Sequence, residues 1–370
     1  MKTNSDSKIR YFITGGGTGG HIYPAVAVAD YLYNRGNTEI FYIGNPKNME
    51  YEIVSQKAYT FLPVKVQGMP RKLKLRLIPW ATEVLFAVVQ AGIYIIKYKP
   101  DAILGTGGYV SAPALIAGKI LKIPYVMHDC DANPGIVTRK LSPWASAVSL
   151  AFECAKDAIP NKNCHVNGNP IREKFKTLTK DEARKNLGLQ NKLTLCIMGG
   201  SQGANSINNA AVEILKTLSK DFDMQIIFQT GKKNFAKVEE KLSIAYPDYK
   251  NDKKIIVKPY FNDMVTILKA SDIAVSRAGS LSISELNASG IATIFVPYPF
   301  AAADHQRRNA KFMVEKGAGL YLEDSEITGE TLLALIKELI ENKEKLQTIQ
   351  ENTKKLAVFD GTEKIAKLLN

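Results

Sequence analysis

A chain of 370 residues is longer than one hydrophobic core ordinarily grows, so two domains are expected. With 45% apolar and 23% charged residues it is neither disordered nor collagenous. Its formal charge of +13 points to anionic partners: nucleic acid, phosphate-bearing substrates or an acidic membrane surface.

The N-terminal MKTNSDSKIR lacks the apolar core of a signal peptide. The cysteines Cys130, Cys154, Cys164 and Cys196 lack CxxC or Cys–His metal spacing, which reads as a reduced, cytoplasmic chain. Candidate strands then follow at Arg10–Thr14, Glu39–Gly44, Phe61–Val64, Asp101–Leu104, Pro124–His128, Ala147–Ala151 and Cys164–Asn167. Helical periodicity fills the gaps, as in Tyr23–Arg35 and Ala81–Lys97. Short apolar runs alternating with helices predict an α/β fold with parallel sheets covered on both faces. Between Glu83 and Lys97 lie 13 uncharged residues, fewer than the roughly 20 that cross a bilayer.

The polar Val166–Pro170 stretch marks a domain junction, which places an N-terminal domain at 1–168 and a C-terminal one at 169–345. The pattern restarts at Leu193–Met198, with later strands at Gln225–Gln229, Ile255–Val257, Ile273–Ser276, Thr293–Val296 and Gly319–Leu322. Residues 346–370 are read as a helix returning to the first domain. Each half opens with strand, glycine loop and helix, so two Rossmann-like domains facing a cleft are expected.

Three glycine loops, Gly15–Gly20, Thr106–Tyr109 and Gly199–Gly203, bring bare N–H groups toward helix starts, where anions bind. None continues into Lys-Ser/Thr, which excludes a Walker loop. Gly15-x-Gly17-x-x-Gly20 matches the dinucleotide fingerprint, but that reading requires an acid ending the second strand, and Ile40–Asn45 has none. An NAD-dependent oxidoreductase is therefore a remote alternative. A nucleic-acid binder is disfavoured because no helix-turn-helix, RNP or zinc pattern occurs. His21, beside the last glycine, reads either as a packing histidine or as a base for a hydroxyl nucleophile. Arg172 and Glu285 read singly as a solvated junction charge and a helix-start acid. Beside the anion loops they read as ligands for a diphosphate and a ribose.

Taken together, Gly16–His21, Thr106–Ser111, Gly168–Arg172, Gly199–Ala204, Arg277–Glu285 and Asp304–Gln306 resemble MurG, the N-acetylglucosaminyltransferase family that converts lipid I to lipid II. The resemblance runs from residue 8 to about 315. It implies a GT-B fold and UDP-N-acetylglucosamine and lipid I as substrates, with another GT-B transferase of different acceptor as the alternative. It also implies a peripheral place on the cytoplasmic face of the bacterial plasma membrane.

Carried residue by residue, the resemblance makes His21 the general base. It places the donor against Thr18, Gly19, Gly20, Asp131, Arg172, Ser201, Gln202, Gly203, Phe261, Ser280, Leu281, Ser282, Glu285 and Gln306. The acceptor falls to Gly16, Gly17, Gly107, Gly108, Tyr109 and His128. No cofactor or metal is implied, although Asp129-x-Asp131 mimics a DxD motif. Asp131 stands where the family commonly has asparagine, which removes an amide donor unless nearby Asn133 substitutes. A basic and apolar cluster, Arg71, Lys72, Leu73, Leu75, Leu77 and Trp80, is expected to meet an anionic bilayer.

Overall fold

The computed structural model describes residues 8–68, 77–200 and 202–370, with the backbone alone of Leu77. Arg71, Lys72, Leu73, Leu75 and Ser201 lie outside the described residues, as does the Leu77 side chain. The chain forms two compact units, 1–171 with 360–370, and 172–359.

The first unit holds seven parallel strands: β1 (Ile9–Thr14), β2 (Thr38–Gly44), β3 (Thr60–Pro63), β4 (Ala102–Gly105), β5 (Tyr125–Asp129), β6 (Ala147–Leu150) and β7 (Cys164–Val166). Their order is β3-β2-β1-β4-β5-β6-β7. Neighbouring residues on β1 serve opposite faces, as strand geometry requires. Phe12 packs with Ile103, Met127 and the helix Leu77–Tyr98, while Tyr11 and Ile13 pack with the helix Gly19–Asn34.

The second unit holds six parallel strands: β8 (Leu193–Met198), β9 (Met224–Gln229), β10 (Ile255–Lys258), β11 (Ile273–Ser276), β12 (Ala292–Phe295) and β13 (Leu320–Tyr321), in the order β10-β9-β8-β11-β12-β13. Each sheet reverses strand order beside its first strand, and the glycine loop follows that strand. Ligands of open α/β sheets bind at such switch points. Both units are Rossmann-like, and together they give the GT-B fold.

Three expectations change. The division falls at Ile171/Arg172, and only Asp360–Asn370 joins the first unit, where Ile365 and Ala366 are buried and Tyr11 Oη donates to Asn370 Oδ1 at 2.7 Å. The helix Lys343–Lys355 stays with the second unit, because it buries Ile349 there and Thr353 Oγ1 donates to the Ala318 carbonyl at 3.1 Å. The helix Leu77–Tyr98 is also longer than the uncharged run suggested, and by length and composition it could span a bilayer. Glu83 does not interrupt it. Burial of Ala87, Ala91 and Ile95 against the first unit makes it a core helix with one apolar face outside.

Candidate active site

The first glycine loop leaves β1 and enters the helix Gly19–Asn34, which has no side-chain cap. Pro24 lacks the N–H that would bond the Gly20 carbonyl, so that carbonyl stays outside the helical ladder. Gly107 and Gly108, after β4, have φ of +95° and +74°, a region glycine enters without strain. A Cβ on Gly107 would lie 2.9 Å from His21 Nδ1, and one on Gly108 would lie 2.3 Å from the Gly16 carbonyl oxygen. The imidazole is therefore set against bare backbone. Thr106 Oγ1 donates to the His21 carbonyl at 2.6 Å, and Cys130 Sγ lies 3.7 Å from Nδ1. Among the described residues Nε2 has no hydrogen-bond partner, so it is the ring nitrogen left open, and it is an acceptor in the tautomer whose Nδ1 carries the hydrogen toward Cys130 Sγ.

Glu50 was not anticipated. It is fully buried, and its carboxylate accepts from Gly17 N–H, Asn45 N–H and Asn48 Nδ2, each at 3.2 Å. Asn48 Nδ2 also donates to Tyr109 Oη at 3.1 Å, which ties three loops together. Tyr42 Oη, buried below, donates to the Gly15 carbonyl at 2.6 Å. An acid near the end of β2 thus exists, but it faces the glycine loop rather than a ribose.

His128 does not reach the surface. Its Nδ1 lies 3.1 Å from Ser149 Oγ and its Nε2 lies 3.1 Å from Asn169 Oδ1, and burial lowers its pKa to about 4. It binds β5 to the Asn167–Pro170 junction and cannot also hold an acceptor. Asp129, Cys130 and Asp131 bring ligand atoms within 4.8 Å of one another, the one such trio found among the described residues. Asp129 already accepts Asp131 N–H at 3.2 Å and Gly135 N–H at 3.0 Å, and burial raises its pKa. It shapes the turn that carries Asp131. Thr18, Gly19, Gly20 and Asp131 all belong to the first unit, around His21.

The remaining donor residues lie in the second unit. Gly200 and Gly203 have φ of +83° and +76°. A Cβ on Gly203 would lie 2.0 Å from the Thr230 carbonyl oxygen, whereas one on Gly200 meets no atom within 4 Å among the described residues beyond its chain neighbours. The following helix, Asn205–Asp221, has neither a side-chain cap nor a first-turn acid, so its N–H groups and dipole favour an anion. Gln202 is exposed, and its carbonyl accepts from Asn234 at 3.2 Å.

A second uncapped helix, Ser280–Ser289, carries Ser280, Leu281, Ser282 and Glu285. Glu285 Oε1 accepts from Arg172 Nε at 3.1 Å and Nη2 at 2.8 Å, while burial raises the Glu285 pKa against the lowering pull of Arg172. The expected diphosphate and ribose ligands are therefore paired with each other. Phe261 is nearly buried, and its N–H donates to Gln229 Oε1 at 2.9 Å. Gln229 Nε2 donates to the Gly200 carbonyl at 3.3 Å, so one unforeseen glutamine spans both features. Gln306 Oε1 accepts Tyr298 N–H at 3.0 Å.

The glycosyltransferase family 28 N-terminal domain profile matches residues 11–150, and the C-terminal domain profile matches 194–365. A relative from Thermoanaerobacter sp. (strain X514) is 36% identical over 98% of this chain and 99% of its own. Another, from Desulforamulus reducens, is 38% identical over 94% of each. Both are named UDP-N-acetylglucosamine--N-acetylmuramyl-(pentapeptide) pyrophosphoryl-undecaprenol N-acetylglucosamine transferase. The crystal structure of Acinetobacter baumannii MurG superposes with a TM-score of 0.80 at 28% identity, covering 98% of this chain and 99% of that one.

The chain belongs to the MurG family. Of the MurG-family features read from the sequence, the structure sets Gly107 and Gly108 against the His21 ring, Gly16 against Gly108, and Gly17 against Tyr109. It withdraws His128 into the core. Glu50 was missed because the Asn45–Asn48 turn folds it back onto its loop, and Gln229 because it ends β9 opposite Met198, a strand pairing that the sequence does not mark.

Proposed function

We propose that this chain transfers N-acetylglucosamine from UDP-N-acetylglucosamine to the C4 hydroxyl of the muramyl unit of lipid I, giving lipid II. The observation carrying this reading is the end-to-end match to relatives named for that transfer, over 98% of this chain. The chemistry is a single in-line displacement that inverts the anomeric carbon from α to β. His21 Nε2 takes the proton of the attacking hydroxyl. Arg172 and the uncapped helix start at Asn205 neutralise the departing UDP, with no metal assigned a role. Arg172 exchanges part of its hold on Glu285 for the diphosphate, and the freed carboxylate accepts the ribose hydroxyls. Ser280–Ser282 and Phe261 border the base, and Gln306 Nε2 reads the sugar.

The acceptor is a lipid, so the chain must reach a membrane surface. The helix Leu77–Tyr98 exposes Ile78, Leu85, Phe86, Val89, Ile93 and Ile96 along one face. Exposed Ile120 and Ile136 add further apolar surface, and Lys97, Lys119, Arg139 and Lys140 supply charge. Each cation near an anionic bilayer contributes about 1 kcal/mol. Trp80 contributes less freely than expected, because its indole N–H donates to the Gln67 carbonyl at 3.0 Å. We assign a peripheral, cytoplasmic-face position.

Incubation with labelled UDP-N-acetylglucosamine and lipid I in anionic vesicles should yield labelled lipid II. No transfer to lipid I, with transfer to another acceptor, would replace the substrate assignment. Binding that ignored anionic lipid content and salt would remove the membrane assignment.

A further inference from the structure

Glu50 is a carboxylate sealed in the first unit with no cation paired to it among the described residues. A buried charge of this kind survives only where donors converge on it. Here the donors are Gly17 N–H, Asn45 N–H and the Asn48 amide, each at 3.2 Å. The fit is tight: a Cβ on Gly16 would lie 2.7 Å from the carboxylate carbon, and one on Gly44 would lie 3.0 Å from Glu50 Cγ. In dinucleotide-binding folds the N–H groups of this loop hold a ligand phosphate. In this chain a side chain holds one of them.

We propose that Glu50 is a positioning residue of the transfer, its carboxylate serving as the resident anion of the first glycine loop. The carboxylate takes the Gly17 N–H that a nucleotide phosphate would claim, and so reserves nucleotide binding for the second unit. It also fixes the loop that leads into His21. Through Asn48 it reaches Tyr109, whose ring would lie 3.1 Å from a Cβ on Gly17. Glu50 itself touches no substrate, so its effect passes through the loop backbone. The activity arm of this proposal rests on the lipid I reading above.

The decisive variant is Glu50→Gln, which keeps the shape and replaces one acceptor oxygen by a donor. A buried N–H left facing a donor should lower kcat about tenfold to hundredfold and, because an unsatisfied buried donor also costs stability, lower the melting temperature by a few degrees. Affinity for UDP-N-acetylglucosamine should stay near wild type. Unchanged kcat overturns the proposal, and so does an equal loss of donor affinity or a kcat loss that disappears well below the melting transition, which would mark a merely structural role. In Glu50→Ala, added formate should restore part of kcat by refilling the anion position, and no restoration overturns the anion role. If neither variant folds, Asn48→Ala removes one donor from a half-exposed site and should lower kcat several-fold by the same criteria. Wild-type protein that transfers nothing to lipid I defeats the functional reading alone. The Gly17 amide proton resonance, expected to move upfield in Glu50→Gln, then still tests the resident anion.

Discussion

The two glycine loops follow the first strand of similar sheets, yet their backbones are occupied differently. In the first, Gly17 N–H is bonded to Glu50, and the adjoining glycines pack against His21 and each other. In the second, among the described residues beyond its chain neighbours no atom lies within 4 Å of a Cβ placed on Gly200, and no described side chain caps the helix behind it. On the proposed reading the first loop is a finished piece of structure that positions His21, and the second is the anion site for the donor diphosphate. Fold repetition within one chain thus does not repeat function, because a single acid after β2 changes what the loop can bind.

The largest test of that division is His21→Ala. If the first loop serves chemistry, kcat should fall about 10²- to 10⁴-fold, the usual worth of a positioned general base. UDP-N-acetylglucosamine affinity, measured by calorimetry, should be unchanged. Near-normal turnover would return His21 to a packing role.

The first unit should also respond to acid through His128. Its folded pKa of about 4 lies below the ordinary value of 6.5 because burial penalises the cation. Between these values the unfolded chain binds the extra proton, so stability rises with pH across that window and is lost as pH falls from 6.5 toward 4. The loss amounts to about 3 kcal/mol at most. His128→Leu should be less stable at pH 7, having stranded Ser149 and Asn169, but its melting temperature should fall less steeply over that window.

The strands were legible because parallel strands buried on both faces read as short apolar runs, as in Leu193–Met198 and Ile273–Ser276. That same burial hid His128, since no alternation separates a core-facing position from an exposed one in β5, where all residues are buried. Loop residues were legible where glycine was demanded by φ, as at Gly107, Gly200 and Gly203. Glu50 was not, because its role depends on the Asn45–Asn48 turn folding it back. The break between the helix Lys343–Lys355 and the returning Asp360–Asn370 escaped notice too, as both are polar-rich and helical.

Gly16→Ala strikes the filled loop directly. Its methyl group would meet the Glu50 carboxylate at 2.7 Å, and overpacking of this kind costs about 1–3 kcal/mol. Thermal unfolding should show that loss, and kcat should fall with it. In the second unit Arg172→Ala removes the fork now held by Glu285, and the donor KM should rise about tenfold to hundredfold. A larger effect on kcat than on donor binding would place Arg172 at the transition state instead.

Gly200→Ala should have the smallest effect on the fold and discriminates best between the loops. With no atom of the described residues beyond its chain neighbours within 4 Å of the new methyl, none of them adds a clash to the cost of φ at +83° in a residue other than glycine. That cost is about 1 kcal/mol, since single non-glycine residues do adopt the left-handed region. The methyl would, however, project where a diphosphate approaches the Gly199–Gly203 backbone. Donor affinity should therefore drop by more than the stability change explains, while kcat at saturating donor stays close to wild type. If Gly16→Ala and Gly200→Ala instead weakened donor binding equally, both loops would be nucleotide sites and Glu50 could not be the resident anion of the first.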